Sequence, residues 1–211
     1  MSKPKILIPM HSQWCEKIFN REKKIDVRKT APKIDTPFEA LVYCTKSKPY
    51  LYRNPNNGEL FLDNSNSYRG GNYEDRYLTG KVIGSFICNK VDLIEYKGNC
   101  YMINDDVAYT NAIASKSCLD YDDMYKYLGE KNGYSLHISD PKIYDKPREL
   151  WEYRTICKHM AGDKACYDCP YLVTNDDELN GTDFYGGKYA SCDVYYSKPI
   201  TRAPQSWMYI K

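Results

Sequence analysis

The stretch REKKIDVRK, Arg21–Lys29, sets five cations and two carboxylates in nine residues. Its second half alternates. Ile25 and Val27 share one face, and Lys24, Asp26 and Arg28 share the other, the period-two pattern of a half-buried strand. The pattern alone permits a solvated strand face or the floor of an anion or nucleotide pocket. In the pocket reading, Lys and Arg hold a phosphate or base edge, and the acid reads a donor such as an exocyclic amine. Replacing an exposed strand Arg moves stability by under about half a kcal/mol, so Arg28→Ala is expected to leave the fold intact even where Arg28 holds a ligand. Lys29, one residue on, would point to the opposite face.

The neighbouring segments supply strands and a helix. KILIP, Lys5–Pro9, reads as a short buried strand. SQWCEKIFN follows as a helix with Ser12 as candidate N-cap and Trp14 and Ile18 on its apolar face. EALVYC, Glu39–Cys44, is the next strand. YLYRNPNNGELFL predicts a hairpin turning at Asn57-Gly58, and the polar, Gly-rich segment after it reads as a loop. GKVIGSFICNKVDLIEY returns to strand, with bends expected at Gly84 and near Asn89. DDVAYTNAIAS and DYDDMYKYLG read as helices, the second opened by Asp120 and stopped by Gly129. YSLHI is a short strand, KPRELWEY a turn and SWMYI a terminal strand. Several strands and few helices in mixed order predict an α+β domain around a small, strongly bent sheet or barrel.

The chain has 211 residues, enough for one domain with an insertion. With 30 Lys+Arg against 28 Asp+Glu, the net charge is +2, which excludes a uniformly basic nucleic-acid coat but not a local basic patch. Tyr is abundant, 22 residues against 5 Phe. Biased base composition of the gene accounts for that more readily than base stacking does. The apolar run Ile6–Met10 is too short for a signal-peptide core, and no stretch approaches a membrane span. A cytoplasmic protein is expected, in which nine cysteines are core thiols or metal ligands rather than disulfides.

The charged stretch resembles the hallmark of the ASCH domain family, a PUA-like β-barrel fold: Gly-x-Lys-x-x-Glu-x-Arg after the first strand and helix. Lys23 and Arg28 match, Asp26 replaces the Glu, and Arg21 stands at the Gly, so the helix-to-strand turn is expected to differ. The order of strand KILIP, helix SQWCEKIF and motif strand agrees with the family. So do ALVYCTKSK and GKVIGSFICNKVDLI, and the ending TRAPQSWMYI looks like the last strand of phage-type members. The resemblance implies a small bent β-barrel with flanking helices that binds RNA, a modified base or a nucleotide-like ligand. One branch of the family removes the acetyl group of N4-acetylcytidine with a Thr nucleophile, a Lys and a Glu. The Lys falls on Lys23, the Glu near Asp123, and the Thr on Asp26. A carboxylate attacking an amide would have to form an anhydride, so binding rather than catalysis is expected. Lys23, Asp26 and Arg28 form the expected pocket floor. Lys46 from CTKSK, Gln205 as a base-edge amide and Trp207 as a stacking surface are expected to join it. Trp207 reads equally well as a core anchor, and Trp14 reads as core.

Cys157, Cys166, Cys169 and Cys192 lie in one polar stretch, with Cys166 and Cys169 forming a CxxC knuckle. Four thiolates there suit a closed, structural, tetrahedral Zn²⁺ site. His159 could replace Cys157, and an iron–sulfur cluster or free thiols are the alternatives. Cys15, Cys44, Cys88, Cys100 and Cys118 read as core thiols, and His11 and His137 as structural. The expected organisation is a core over residues 1–156 with an inserted loop at about 46–79, a Cys-rich metal-binding insertion at 157–192, and a terminal strand within 193–211 that returns to the core. Three function classes follow: an ASCH-type RNA or nucleotide-binding module, an amidohydrolase on modified nucleosides, and a phage-encoded protein docking on a host nucleoprotein complex.

Overall fold

The computed structural model describes residues 3–65, 77–155 and 199–210. Nine strands and three α-helices alternate along it. β1 (Lys5–Met10) leads into α1 (Ser12–Phe19), β2 (Ile25–Arg28) and β3 (Phe38–Cys44). β4 (Tyr50–Arg53) and β5 (Leu60–Asp63) form a separate hairpin. The long strands β6 (Val82–Tyr96) and β8 (Gly133–Arg148) bracket β7 (Tyr101–Met102), α2 (Val107–Ser117) and α3 (Tyr121–Leu128). A 3₁₀ turn at Leu150–Glu152 follows, and β9 (Met208–Ile210) comes last.

The main sheet runs β2-β8-β6-β3-β1-β9, with β7 paired to the far end of β6. β1 and β3 are parallel, Ile6 opposite Ala40 and Ile8 opposite Val42. That pairing needs a crossover, and α1 with β2 supplies it. KILIP is apolar on both faces because both are covered. Ile6, Ile8 and Met10 join Phe38, Ala40, Val42 and Cys44 in a core closed by α1 and the β4–β5 hairpin. Leu7, Leu41 and Tyr43 pack on the opposite side with Val82, Leu150, Ile200 and Ile210. A third core joins Ile25 and Val27 of β2 to Ile94, Tyr101, Ile113, Met124 and Leu128.

The expected bends lie where the register of β6 against β8 slips, between Val82 and Gly84, Ser85 and Ile87, and Cys88 and Val91. These bulges curve the sheet. The hairpin turns where Asn57-Gly58 predicts, with Gly58 at φ 77°. Asp120 caps α3 by accepting from Asp123 N at 2.7 Å, and Gly129 ends it. Ser12 is the first helical residue rather than the N-cap, and its hydroxyl donates to Pro49 O. YSLHI is the start of a 16-residue strand, not a short one.

The expected closed barrel is corrected to an open, curved sheet: among the described residues β2 and β9 are its two ends and do not pair. β9 covers only Lys5–Leu7 of β1, so among the described residues the Ile8–Met10 end has a free edge. Pro9 lies on that edge and has no N–H to donate to another strand. The seam between β1 and β2 is bridged by side chains instead.

Candidate functional site

The seam is the site. The turn from α1 into β2 places Arg21 at φ 65°, the left-handed conformation that glycine adopts freely. Arg21 therefore occupies a left-handed turn position without being glycine. Lys23 follows, its N–H bonded to Lys17 O at 2.9 Å. All four residues of β2 are buried, and so is Lys23. The solvated-face alternative thus fails: Lys23 is 3%, Asp26 5% and Arg28 8% exposed, while Lys24 is exposed.

Arg28 donates Nε to Asp26 Oδ2 at 2.6 Å. Its two terminal nitrogens donate to Pro9 O at 3.0 Å and to Ser206 O at 3.4 Å. One guanidinium thus ties β2, β1 and the segment before β9 together. Lys23 Nζ donates to Ser117 O at 2.6 Å, lies 4.0 Å from Asp26 Oδ1 and sits 4.8 Å from the centre of the Trp14 ring. Burial pushes the Lys23 ammonium below its ordinary pKa, and Asp26 restores part of it. Burial also opposes the Arg28 charge, but Asp26 outweighs it and the net shift is upward. Two cations face one carboxylate here, so the floor carries an excess positive charge.

Above this floor lies a cleft of about 500 Å³. Trp14 of α1, Tyr127 of α3 and Leu119 line it, with Ala203, Pro204 and Gln205 from the segment before β9. His11, Gln13, Thr45 and Asp123 add polar groups. His11 Nδ1 lies 3.1 Å from Ser47 Oγ and 3.4 Å from Thr45 Oγ1.

Of the expected site residues, Lys23, Asp26, Arg28 and Gln205 meet in the cleft. Lys46 does not line it: its side chain lies across Gly80, where an added Cβ would come within 2.8 Å of Lys46 Cε. Trp207 does not line it either. Trp207 packs against the main core, donates Nε1 to Thr30 Oγ1 at 3.1 Å and meets Tyr209 edge-on, so it anchors the last strand. Trp14, read as core, is half-buried: it packs against the main core and also lines the cleft. His11, read as structural, lines it too. No local signal marks Tyr127 or Thr45, which long-range packing delivers.

His137 belongs to a different cluster. Asp92 accepts from His137 Nε2 at 2.8 Å, from Tyr109 OH at 2.7 Å and from Lys90 Nζ at 2.9 Å. Cys15, Cys44 and Cys88 are buried thiols as expected, while Cys100 and Cys118 are half-buried. Cys157, Cys166, Cys169 and Cys192 lie outside the described residues. Among the described residues no group of three or more His, Cys, Asp or Glu could hold a metal ion. No described helix is long and apolar enough to cross a membrane.

No family model matches the sequence, and no curated protein does. Among solved structures, the chain is similar to an ASCH protein. The fold is similar to ASCH from Zymomonas mobilis at 11% identity and a TM-score of 0.45, covering 70% of this chain and 74% of that one. Two mutants of the same Zymomonas mobilis protein match similarly. One has 12% identity and a TM-score of 0.42, over 71% of this chain and 76% of that one. The other has 11% identity and a TM-score of 0.43, over 70% and 77%.

Proposed function

We propose that the seam cleft captures a nucleobase or nucleotide-like group, free or within RNA, and that the protein is an ASCH-type binding module. The observation that carries the reading is the buried Lys23–Asp26–Arg28 cluster in a cleft that Trp14 and Tyr127 also line. Lys23 and Arg28 can hold a phosphate or a carbonyl, set against the carboxylates of Asp26 and Asp123 that line the same cleft. Asp26 Oδ1, the carboxylate oxygen not bonded to Arg28, is the acceptor for an amine edge. The indole and phenol rings suit a flat base. Gln205 is exposed at the cleft and adds an amide that can pair with a base edge.

The test is titration of the protein with the four ribonucleoside monophosphates and their nucleosides. At least one should bind, and Gln205→Ala should weaken it about two- to tenfold, the loss of one ordinary hydrogen bond. Folded protein that binds none of them overturns the reading.

One observation favours the amidohydrolase as a second reading: Lys23, Asp123 and the Thr45 hydroxyl all line the cleft. Asp26, at the nucleophile position of the acetylcytidine-hydrolysing branch, is held by Arg28 and is a poor nucleophile toward an amide. N4-acetylcytidine should therefore bind without turnover, and hydrolysis abolished by Thr45→Ala would establish the second reading.

A further inference from the structure

A second groove, of about 330 Å³, adjoins the cleft through Tyr127, which lines both. Lys29, Lys126, Lys131 and Asn132 supply its polar groups. Among the described residues none of the three ammonium groups lies within 4 Å of a carboxylate. Lys5, Lys81, Lys90, Lys97 and Lys142, by contrast, are each paired with one. Three cations outside any ion pair in one groove of a chain with a net charge of only +2 are a local concentration, not a general one. Lys29 Nζ lies 5.2 Å from the centre of the Tyr127 ring, so charge and aromatic surface are contiguous. Asn132 accepts Tyr96 N at 2.9 Å through Oδ1, which leaves its amide NH₂ as a donor. The C-terminal end of α3 lies here and opposes an anion with about half a charge, but three ammonium groups outweigh it. Gly129 O is in addition occupied by the Tyr101 hydroxyl.

Resting on the reading of the cleft as a nucleotide site, we infer that this groove binds the phosphodiester next to the captured nucleotide. The ligand is then a single-stranded nucleic acid running across the Tyr127 ring, rather than a free mononucleotide. A base pocket, an aromatic ring and a basic groove in sequence are the elements that such strands need, stacking platforms beside cations that follow the backbone. An acidic peptide would use the lysines but would have no use for the cleft.

The experiment measures binding of the best mononucleotide, of two- and eight-residue RNA and DNA strands of that nucleotide, and of polyglutamate, at several salt concentrations. The proteins are wild type and the Lys126→Gln/Lys131→Gln double variant, both substitutions being at exposed positions. Wild type should bind the strands at least about tenfold more tightly than the mononucleotide. The double variant should lose that gain and lower the salt slope by about 0.7 for each phosphate contact removed. Its mononucleotide affinity should stay within about twofold. Strands that bind no better than the mononucleotide, an unchanged salt slope, or equal binding of polyglutamate each overturn the inference while leaving the cleft reading intact. Strand binding that depends on these lysines, with no mononucleotide binding, upholds the groove and fails the cleft instead.

Discussion

Arg28 Nε lies 2.6 Å from Asp26 Oδ2, and both side chains are buried at the seam between β1 and β2, which do not pair among the described residues. The pair does the work of a missing strand ladder. Where Pro9 offers a carbonyl and no N–H, the guanidinium accepts the geometry and joins β1, β2 and the segment before β9.

That arrangement reverses the expectation that Arg28 is dispensable for folding. Arg28→Ala leaves Asp26 buried beside only Lys23 and releases Pro9 O and Ser206 O. Breaking a buried pair of this kind costs about 3 kcal/mol or more. At roughly 2–4 °C per kcal/mol for a chain of this size, the melting temperature should fall by about 6–12 °C. Thermal unfolding checks this, and a shift under about 2 °C would make the pair incidental.

Trp14 gives the cleft an optical signature. Of the three tryptophans, Trp14 lines the cleft, Trp151 is 63% exposed elsewhere and Trp207 is packed on the core. A bound base should quench indole emission in wild type, Trp151→Phe and Trp207→Phe, but not in Trp14→Phe. Quenching that survives in Trp14→Phe would move the ligand out of the cleft.

Arg21 holds φ 65° as a non-glycine residue, a conformation that costs an L-residue about 1–2 kcal/mol. Arg21→Gly relieves that cost and adds some freedom to the unfolded chain, so stability should hold or rise by up to about 1 kcal/mol. Arg21→Val, β-branched, should be destabilised. The urea midpoint of Arg21→Gly should be at or above that of wild type, and that of Arg21→Val below it.

The Asp92 cluster predicts a pH response. Burial pushes the Asp92 pKa up, but Lys90, Tyr109 and His137 outweigh it and hold it below the ordinary carboxylate value. A carboxylate depressed in the folded state adds stability that is present above the unfolded value of about 4 and is lost as pH falls through the folded value. Asp92→Asn should therefore be less stable than wild type at neutral pH, and the gap should narrow steadily below about pH 4. A gap that does not change with pH would show that the carboxylate charge contributes nothing there.

The four-cysteine stretch carries a prediction from sequence. Protein purified without added metal should contain about one Zn²⁺ per chain, and Cys169→Ser should lose it. A wild-type chain without metal that resists protease as well as a metal-loaded one would make these cysteines ordinary thiols.

Much of the local structure was legible because its causes lie within a few residues. The all-apolar KILIP run, the Asp120 cap, the Gly129 stop and the Asn57-Gly58 turn each announce an element through contacts made inside that element. Lys23, Asp26 and Arg28 could be grouped as one site because six residues of β2 and its entry contain them. Whether that charged face met water or protein was not a local matter. Ser117 O, Pro9 O and Ser206 O, which cover it, are 94, 19 and 178 residues away in sequence. The same holds for the walls, since Trp14 carries an ordinary helical spacing and Tyr127 one more aromatic in a Tyr-rich chain. Periodicity records which side of a strand or helix is apolar. Which surface lies opposite it, and whether a sheet closes or leaves a seam for a ligand, is decided only when distant segments pack.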